Sequence, residues 1–247
     1  MIETNMNQYI RSVVLEGEYD CSHYPFSLNA IKDFKQLDLH PKVTYIIGEN
    51  GSGKSTLLEA IAIAFGFNPE GGTRNLSFET SASHSILYDY IKLVKGIKSP
   101  KDGFFLRAES FYNVASHIDD IDRYGGLGRP IIESYGGLSL HKQSHGESFM
   151  SLMVYRFGGH GVYIIDEPEA ALSPTRQLAM LSRMHELIEE GSQFIIATHS
   201  PIVMGYPDSA IYLVDDGMKQ VVYEETEHYQ VMKQFINHRE GMLKHLL

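Results

Sequence analysis

The stretch VTYIIGENGSGKST, residues 43–56, joins a short apolar run to a glycine-rich loop. Its spacing, G-x-x-x-x-G-K-[ST], is typical of a loop whose backbone N–H groups surround phosphate oxygens. Glycines are needed in such a loop because a Cβ would obstruct either the turn or the anion. The stretch therefore predicts a strand, a phosphate-binding loop and the start of a helix, in that order.

The predicted loop supplies side chains suited to a nucleoside triphosphate. Lys54 would reach the β- and γ-phosphates, and Ser55 would ligate the Mg²⁺ that bridges them. Apolar residues on one helical face follow the loop, which is the context that the motif requires. We expect the nucleotide to contact Gly48, Asn50, Gly51, Ser52, Gly53, Lys54, Ser55 and Thr56.

A second motif is VYIIDEPEAALSP, residues 162–174, in which an apolar strand delivers two acids at its carboxyl end. Ligands of doubly wound sheets bind at such ends. Asp166 would hold Mg²⁺ together with Ser55, and Glu167 could polarise an attacking water as general base. An isolated Asp-Glu pair is commonly only solvated, so this prediction depends on the phosphate loop upstream.

A third motif, FIIATHSP at residues 194–201, ends a buried strand with a histidine. If this strand lies beside that of Asp166, His199 would hydrogen-bond the γ-phosphate and orient water and Glu167. A lone histidine is more often structural, but its place after a buried strand favours a role in the site.

The segment SHGES, residues 144–148, directly precedes a predicted helix. Taken alone, it is an N-cap with an acid in the first turn. The same features, a serine hydroxyl and a glycine amide at a helix N-terminus, also make it a possible anion receptor. The residues leave both interpretations open.

Composition narrows the class of protein. The chain of 247 residues is long enough for one large α/β domain, and its single cysteine, Cys21, fits a reducing compartment. The net charge of −10 argues against a protein-wide preference for nucleic acid. The N-terminus lacks the pattern of a signal peptide, and the apolar runs fall short of the roughly 20 residues that span a bilayer. We expect a cytoplasmic protein without a transmembrane segment.

The remaining pattern predicts an α/β fold with N-terminal antiparallel β strands and a mainly helical subdomain inserted at about 66–145. The segments 9–18 and 26–39 are predicted to be edge strands or parts of a hairpin, and 86–95 a helix. Strands are predicted at 162–165 and 194–198, a hairpin over 210–224 and a last helix from about 226. Two further helices are predicted from apolar residues on one face: Phe149, Leu152, Met153 and Phe157 in the first, and Leu178, Leu181, Met184 and Ile188 in the second.

The order of the motifs resembles that of ABC-type ATPases. GENGSGKST is similar to their Walker A motif, SHGES to the signature, YIIDEPEAAL to Walker B and ATHS to the switch histidine. The chain looks most similar to non-transporter members of the SMC/RecF-like kind, in particular small bacterial AAA-family ATPases that carry SHGESF. The resemblance covers residues from about 30 to 215.

The resemblance implies a single domain, 1–247, with a three-layer P-loop core that binds ATP and Mg²⁺. It also implies hydrolysis assisted by Glu167 and His199, and a head-to-tail homodimer formed with ATP. In that dimer Ser144, Gly146 and Glu147 of one copy would close over the γ-phosphate held by Lys54 of the other.

Three departures from the family pattern stand out. His145 and Glu147 replace a glycine and the glutamine of LSGGQ, the segment 170–174 lacks the usual aspartate, and Glu109 stands where a Mg²⁺-sensing glutamine is expected. No heptads separate Lys54 from Ser144, so long coiled-coil arms are not expected.

Several functional classes remain open on the sequence alone. The first is an ATP-driven switch that acts on an unknown protein partner, with DNA repair or defence as candidate settings. The alternative is the ATP-binding subunit of a membrane transporter. Direct binding of nucleic acid is not supported by the net charge.

Overall fold

Two sheets organise the computed structural model, which describes residues 8–73, 85–107, 116, 118–119, 121–123, 130–215 and 217–247. The strands in these ranges are β1 (Ile10–Leu15), β2 (Gln36–Asp38), β3 (Val43–Ile47), β4 (Ile91–Lys95), β5 (Asp102–Arg107), β6 (Gly161–Asp166), β7 (Gln193–Ala197), β8 (Ala210–Leu213) and β9 (Lys219–Val221).

The helices lie mainly after the strands of the larger sheet. The α-helices with both ends in the described ranges are α1 (Asn29–Lys32), α2 (Lys54–Phe65), α3 (His145–Ser151), α4 (Pro174–Glu189) and α5 (Glu227–Leu246). A π-helical turn, Leu152–Arg156, extends α3. Short 3₁₀ helices lie at Ile86–Tyr90, Ile131–Tyr135, Leu140–Lys142, Pro168–Ala170, Val203–Gly205 and Tyr223–Glu225.

The larger sheet has the order β5-β6-β7-β3-β8-β9 and is parallel except for β9. The smaller sheet, β2-β1-β4, is antiparallel. In the larger sheet Ala197 of β7 pairs with Ile46 of β3 on one side and with Asp166 of β6 on the other. The carboxyl ends of β3, β6 and β7 therefore meet at one edge, as their motifs require.

Each face of the larger sheet carries its own apolar core. On β3, Tyr45 and Ile47 belong to the core that contains α4, whereas Ile46 belongs to the core that contains α2. This alternation follows from the two-residue period of a strand, and burial on both faces explains why the central strands are almost wholly apolar.

Most of the predicted elements are confirmed. The strand, loop and helix at 43–65 are present, and β6, β7, the β8-β9 hairpin and α5 match their predicted positions. The predicted buried face Phe149, Leu152, Met153 and Phe157 is also confirmed, because none of the four side chains is more than 2% exposed. The α/β fold with N-terminal antiparallel strands is thus the fold of this chain.

Two local predictions are wrong. Residues 86–95 form a 3₁₀ turn and then strand β4, because Ile91 and Leu93 alternate along the free edge of β1 instead of lining a helix. Leu178 is 59% exposed, since the buried face of α4 is formed by Met180, Met184, Leu187 and Ile188. By contrast, the prediction for 26–39 is confirmed in part, because β2 is an edge strand of the smaller sheet that pairs antiparallel with β1, and the single turn α1 precedes it.

The predicted insertion at 66–145 overlaps the core of the fold. β5 is an edge strand of the larger sheet, so residues 102–107 belong to the main domain. Glu109 and most of the segment 108–129 lie outside the described residues. The extent of a helical subdomain, and the single domain 1–247, stay predictions. Among the helices in the described ranges, none has the length and apolar character needed to cross a bilayer.

Candidate nucleotide-binding site

The glycine-rich loop after β3 depends on glycine in two different ways. Gly48 has a φ of +154° and Gly53 one of +100°, and neither has room for a side chain. A Cβ on Gly48 would lie 2.6 Å from Asp215 Oδ1, and one on Gly53 would lie 2.9 Å from Leu28 Cβ. Gly51, with a φ of +81°, faces open space, so only its backbone conformation requires glycine.

Asp215 holds the start of this loop. Its Oδ1 accepts a hydrogen bond from the backbone N–H of Glu49 at 2.7 Å. The sequence reasoning missed this residue, and its only signal was an acid after the strand β8. Asp215 thereby fixes the first turn of the loop beside Gly48.

Lys54 lies buried under the loop, with 3% of its surface exposed. Its ammonium group donates to the carbonyl oxygens of Gly48 at 2.9 Å and of Glu49 at 2.8 Å. Burial lowers the pKa of Lys54, and the nearby carboxylates, Glu167 foremost, oppose that shift. The cation is therefore held where a phosphate over the loop would meet it.

The residues of the predicted site include two orphaned buried polar atoms. Within the described residues, Ser52 Oγ of the loop and Nε2 of His199 are buried without a hydrogen-bond partner. Buried polar groups are normally paired, so such atoms need an explanation. A phosphoryl group over the loop would satisfy both, and this fits the predicted ligand.

The predicted Mg²⁺ ligands lie next to each other. The hydroxyl of Ser55 donates to Asp166 Oδ1 at 3.1 Å, and Asp166 is 6% exposed. Mg²⁺ in nucleotide sites is usually held by one or two protein oxygens together with phosphates and water. A hydroxyl and a carboxylate oxygen in contact fit that requirement.

Arg107 is a charged neighbour of this pair that the sequence reasoning missed. It ends β5 opposite Asp166, and its Nε lies 3.8 Å from Asp166 Oδ2. Its Nη1 also donates to Glu59 Oε2 of α2 at 2.6 Å. The guanidinium therefore links the helix after the loop to the strand that carries Asp166. The only sequence signal was an arginine after the apolar run 104–106.

Glu167 follows Asp166 in a left-handed backbone conformation, with a φ of +50°. A non-glycine residue in that region is uncommon and costs free energy, so its neighbours must hold it. One such contact is its N–H, which donates to the carbonyl of Ala197 at 2.9 Å. Its side chain is half-exposed, and Oε1 lies 3.5 Å from Nε2 of His199.

Glu169 is a second acid that the sequence reasoning did not single out. Its carboxylate accepts hydrogen bonds from the hydroxyl of Thr198, at 2.7 Å, and from the backbone N–H of His199. Glu169 thus ties the turn after β6 to the turn after β7. The acidic run D-E-P-E was the available signal, but it does not distinguish the three carboxylates.

His199 lies where its motif predicts, at the end of β7 beside the end of β6. Its Nδ1 is 3.1 Å from Nε2 of His228, a residue of α5 that the sequence reasoning missed. Burial lowers the pKa of His199, and the charge of Lys54 lowers it further. The imidazole is therefore neutral near pH 7.

Ser144, Gly146 and Glu147 form the start of α3. Glu147 accepts hydrogen bonds from both the backbone N–H and the hydroxyl of Ser144, at 3.0 and 2.7 Å, and its carboxylate contacts Arg176. Gly146 is buried, and a Cβ there would lie 2.9 Å from the carbonyl oxygen of Ala171. The capping interpretation is confirmed, and the anion-receptor interpretation stays a prediction.

A cavity of about 760 Å³ opens beside the loop. Glu49, Asn50 and His199 line one side, and α5 closes the other with His228 and the apolar side chains Val231, Met232 and Phe235. Ser144, Gly146 and Glu147 are not among the residues that line it. The structure therefore brings the loop, Asp166, Glu167 and His199 together, and leaves the predicted signature outside this cavity.

The backbone conformation of Gly48 leads to a first testable prediction. We expect Gly48→Ala to lower the free energy of unfolding by about 1–3 kcal/mol, because alanine would have to keep a backbone conformation reserved for glycine. Urea denaturation measures the change. Gly241→Ala is the control: it lies in α5 with no atom within 4 Å of the added Cβ, so stability should hold or rise. Equal losses in both variants would contradict the prediction.

The fold and the site define a class. A parallel sheet whose central strand leads through a GxxxxGKS loop into a helix, with an aspartate on a nearby strand contacting the serine, is a P-loop NTPase.

Comparison with known proteins narrows this class. Residues 26–117 match the model of an AAA domain, and residues 133–205 match a second AAA-domain model whose description names the AbiEii toxin of a type IV toxin–antitoxin system. The guanosine import ATP-binding protein NupO of Bacillus subtilis is 30% identical over 171 residues, 61% of this chain and 31% of that protein. The DNA replication and repair protein RecF of Colwellia psychrerythraea is 40% identical over 67 residues, 27% of this chain and 16% of that protein.

Among solved structures, cbiO1 of Clostridium perfringens, part of the ABC transporter complex cbiONQ, has a TM-score of 0.51 and 20% identity, with 96% of this chain and 100% of that chain covered. This likeness shows the fold. By these matches the chain is similar to ABC-type P-loop ATPases. It spans less than a third of NupO and of RecF.

Proposed function

We propose that this chain binds and hydrolyses ATP as a switch: ATP closes a head-to-tail homodimer, and hydrolysis opens it. The observation that carries the proposal is the convergence at one sheet edge of a buried lysine, a serine–aspartate pair, and the buried, unbonded atoms Ser52 Oγ and His199 Nε2. Donors and ligands of this kind suit the phosphates of a nucleotide.

The loop and Lys54 bind the phosphates in this proposal. Lys54 exchanges its bonds to two loop carbonyls for bonds to phosphate oxygens, which relieves part of the cost of its burial. Ser55 and Asp166 would hold Mg²⁺, which when bound would supply positive charge to the phosphates. Arg107 balances part of the negative charge of Asp166 and Glu59.

Hydrolysis is assigned to Glu167 and His199. Glu167 accepts a proton from water as the water oxygen bonds to the γ-phosphorus, while the bond between that phosphorus and the leaving ADP oxygen breaks. His199 donates from Nε2 to a γ-phosphate oxygen and stabilises the charge that develops there. Glu169 holds the backbone of His199 in place throughout.

Dimerisation is assigned to the start of α3. Ser144 and Glu147 are exposed, and Gly146 brings the backbone close to α4. In the proposed dimer these residues meet the γ-phosphate bound to Lys54 of the second copy, so ATP lies between two chains. Support comes from the motif order and from the family.

The proposal also covers the cellular compartment and the partner of the switch. We place the chain in the cytoplasm on the evidence of its single cysteine, and we propose an unidentified protein partner, with DNA repair or defence as candidate roles. The transporter alternative rests on names such as that of NupO, and no contact in the described residues favours it. Co-purification with a membrane protein would reverse this preference.

The test uses the wild-type chain. We expect phosphate release with Mg²⁺ and ATP, and a light-scattering mass that doubles when a non-hydrolysable ATP analogue is added. ADP is the matched control and should leave the mass of one copy. A mass that does not change with the analogue would overturn the dimer, and absence of phosphate release would overturn the ATPase.

A further inference from the structure

The contact between His199 and His228 joins the switch histidine to the last helix. His199 Nδ1 and His228 Nε2 are 3.1 Å apart, and the two rings are tilted with centroids 5.3 Å apart. Since one histidine of such a pair must donate and the other accept, the contact couples the tautomer of His199 to that of His228 and allows two arrangements.

The surroundings of His199 select one of the two arrangements. Its Nε2 faces Oε1 of Glu167 at 3.5 Å, and an ionised carboxylate can only accept a hydrogen bond. A lone pair on Nε2 would be repelled by that carboxylate, so the proton is favoured on Nε2. Because the ring is neutral, Nδ1 is then an acceptor, and His228 must supply the N–H.

The start of α5 is anchored well enough to hold His228 in this position. Thr226 is the buried N-cap of α5 and donates its hydroxyl to the carbonyl of Tyr223. Tyr223 in turn donates its hydroxyl to the carbonyl of Pro201, two residues after His199, at 2.8 Å. The segment that carries His228 is therefore tied to the segment that carries His199.

The remainder of α5 does not pack into a core that could position His228. No side chain between Glu227 and Leu246 is buried, and the helix is kinked at His238. The position of His228 is thus set by the contacts near its own end of α5 and not by packing of the whole helix into a core.

We propose that His228 is a positioning residue that donates to Nδ1 of His199 and so keeps the proton of His199 on Nε2, the atom directed at Glu167. The inference rests on the proposed function, in which Nε2 donates to the γ-phosphate. It assigns α5 a part in catalysis: without the donor on His228, His199 can turn or change tautomer and present an acceptor to the phosphate instead.

Three variants of His228 separate the hydrogen bond from simple loss of structure. Glutamine keeps an N–H donor near the place of Nε2, glutamate puts an acceptor there in a side chain of the same length, and alanine removes both. We expect His228→Gln to retain most of kcat for ATP hydrolysis. His228→Glu and His228→Ala should lower kcat about 10- to 100-fold with little change in the KM for ATP.

A second measurement does not depend on hydrolysis. Long-range ¹H–¹⁵N NMR of the nucleotide-free chain reports the tautomer of His199, with His199→Gln used to assign its signals. We expect the Nε2–H form in the wild type and in His228→Gln, and a shift toward the Nδ1–H form in His228→Glu.

Equal kcat in the glutamine and glutamate variants, or a His199 tautomer that is the same in all variants, would overturn the proposal. A wild-type chain that releases no phosphate would overturn the proposed function instead, and the NMR measurement would still decide the role of His228.

Discussion

Glu167→Gln is expected to lower the rate of phosphate release about 100-fold or more and to accumulate as an ATP-bound dimer. The amide cannot take a proton from water, and loss of a general base typically costs 10²- to 10⁴-fold. The ligands of Mg²⁺ and phosphate stay in place, since Glu167 makes no hydrogen bond to Ser55, Asp166 or Lys54. ATP binding should therefore be retained.

The experiment compares mass by light scattering, with ATP and with ADP, against phosphate release. Glu189→Gln is a matched control, because Glu189 ends α4 at the opposite edge of the sheet and its change removes the same charge. The control should behave like the wild type. A Glu167→Gln chain that remains monomeric with ATP, alongside a monomeric wild type, would show that the dimer mechanism is wrong.

The Glu167→Gln variant can also be used to identify the partner protein. If the closed state is the one that engages another protein, Glu167→Gln in ATP should retain that protein through purification, whereas the ADP-bound wild type should release it. Capture by the variant in both nucleotides would indicate binding that is independent of the switch.

The sequence predicts the central strands and the loop because these features are local. A strand with an apolar run such as YII is stable only when both of its faces are buried away from water. The spacing of glycine and lysine in 48–54 is fixed by the size of the phosphate that the loop surrounds. The lateral order of the strands is not local. The adjacency of His199 and Asp166 depends on the position of β7 between β3 and β6.

The contacts that the sequence did not predict are those between distant segments. Arg107, Glu169, Asp215 and His228 each meet the site through a side chain, and nothing in their own neighbourhood distinguishes them from exposed charges. The error at 86–95 has a similar cause. The alternation of Ile91 and Leu93 gains its meaning from the free edge of β1, about 80 residues earlier in the chain.

Ser144→Arg is expected to bind ATP and yet remain monomeric, because the arginine would occupy the space that the second copy must approach. Ser144 is the exposed N-cap of α3 and does not line the cavity beside the loop, so we expect the nucleotide site of the same chain to be unaffected. The change also removes the N-cap, which costs about 0.5–2 kcal/mol of stability. Ser144→Ala loses the same cap without the added bulk, and it should keep a measurable dimer.

Mixing two inactive variants tests the head-to-tail arrangement directly. Ser144→Arg keeps an intact Lys54, and Lys54→Ala keeps an intact Ser144. In a head-to-tail pair one site then combines the intact Lys54 of the first chain with the intact Ser144 of the second, and the other site contains both changes. We expect each variant alone to release almost no phosphate, and the mixture to recover activity in proportion to the fraction of mixed dimers.

A mixture as inactive as its components, under conditions in which light scattering shows mixed dimers, would exclude nucleotide sites that are shared between two chains. If Ser144→Arg alone hydrolyses ATP at the wild-type rate, the signature assignment fails, and the start of α3 is only a helix cap.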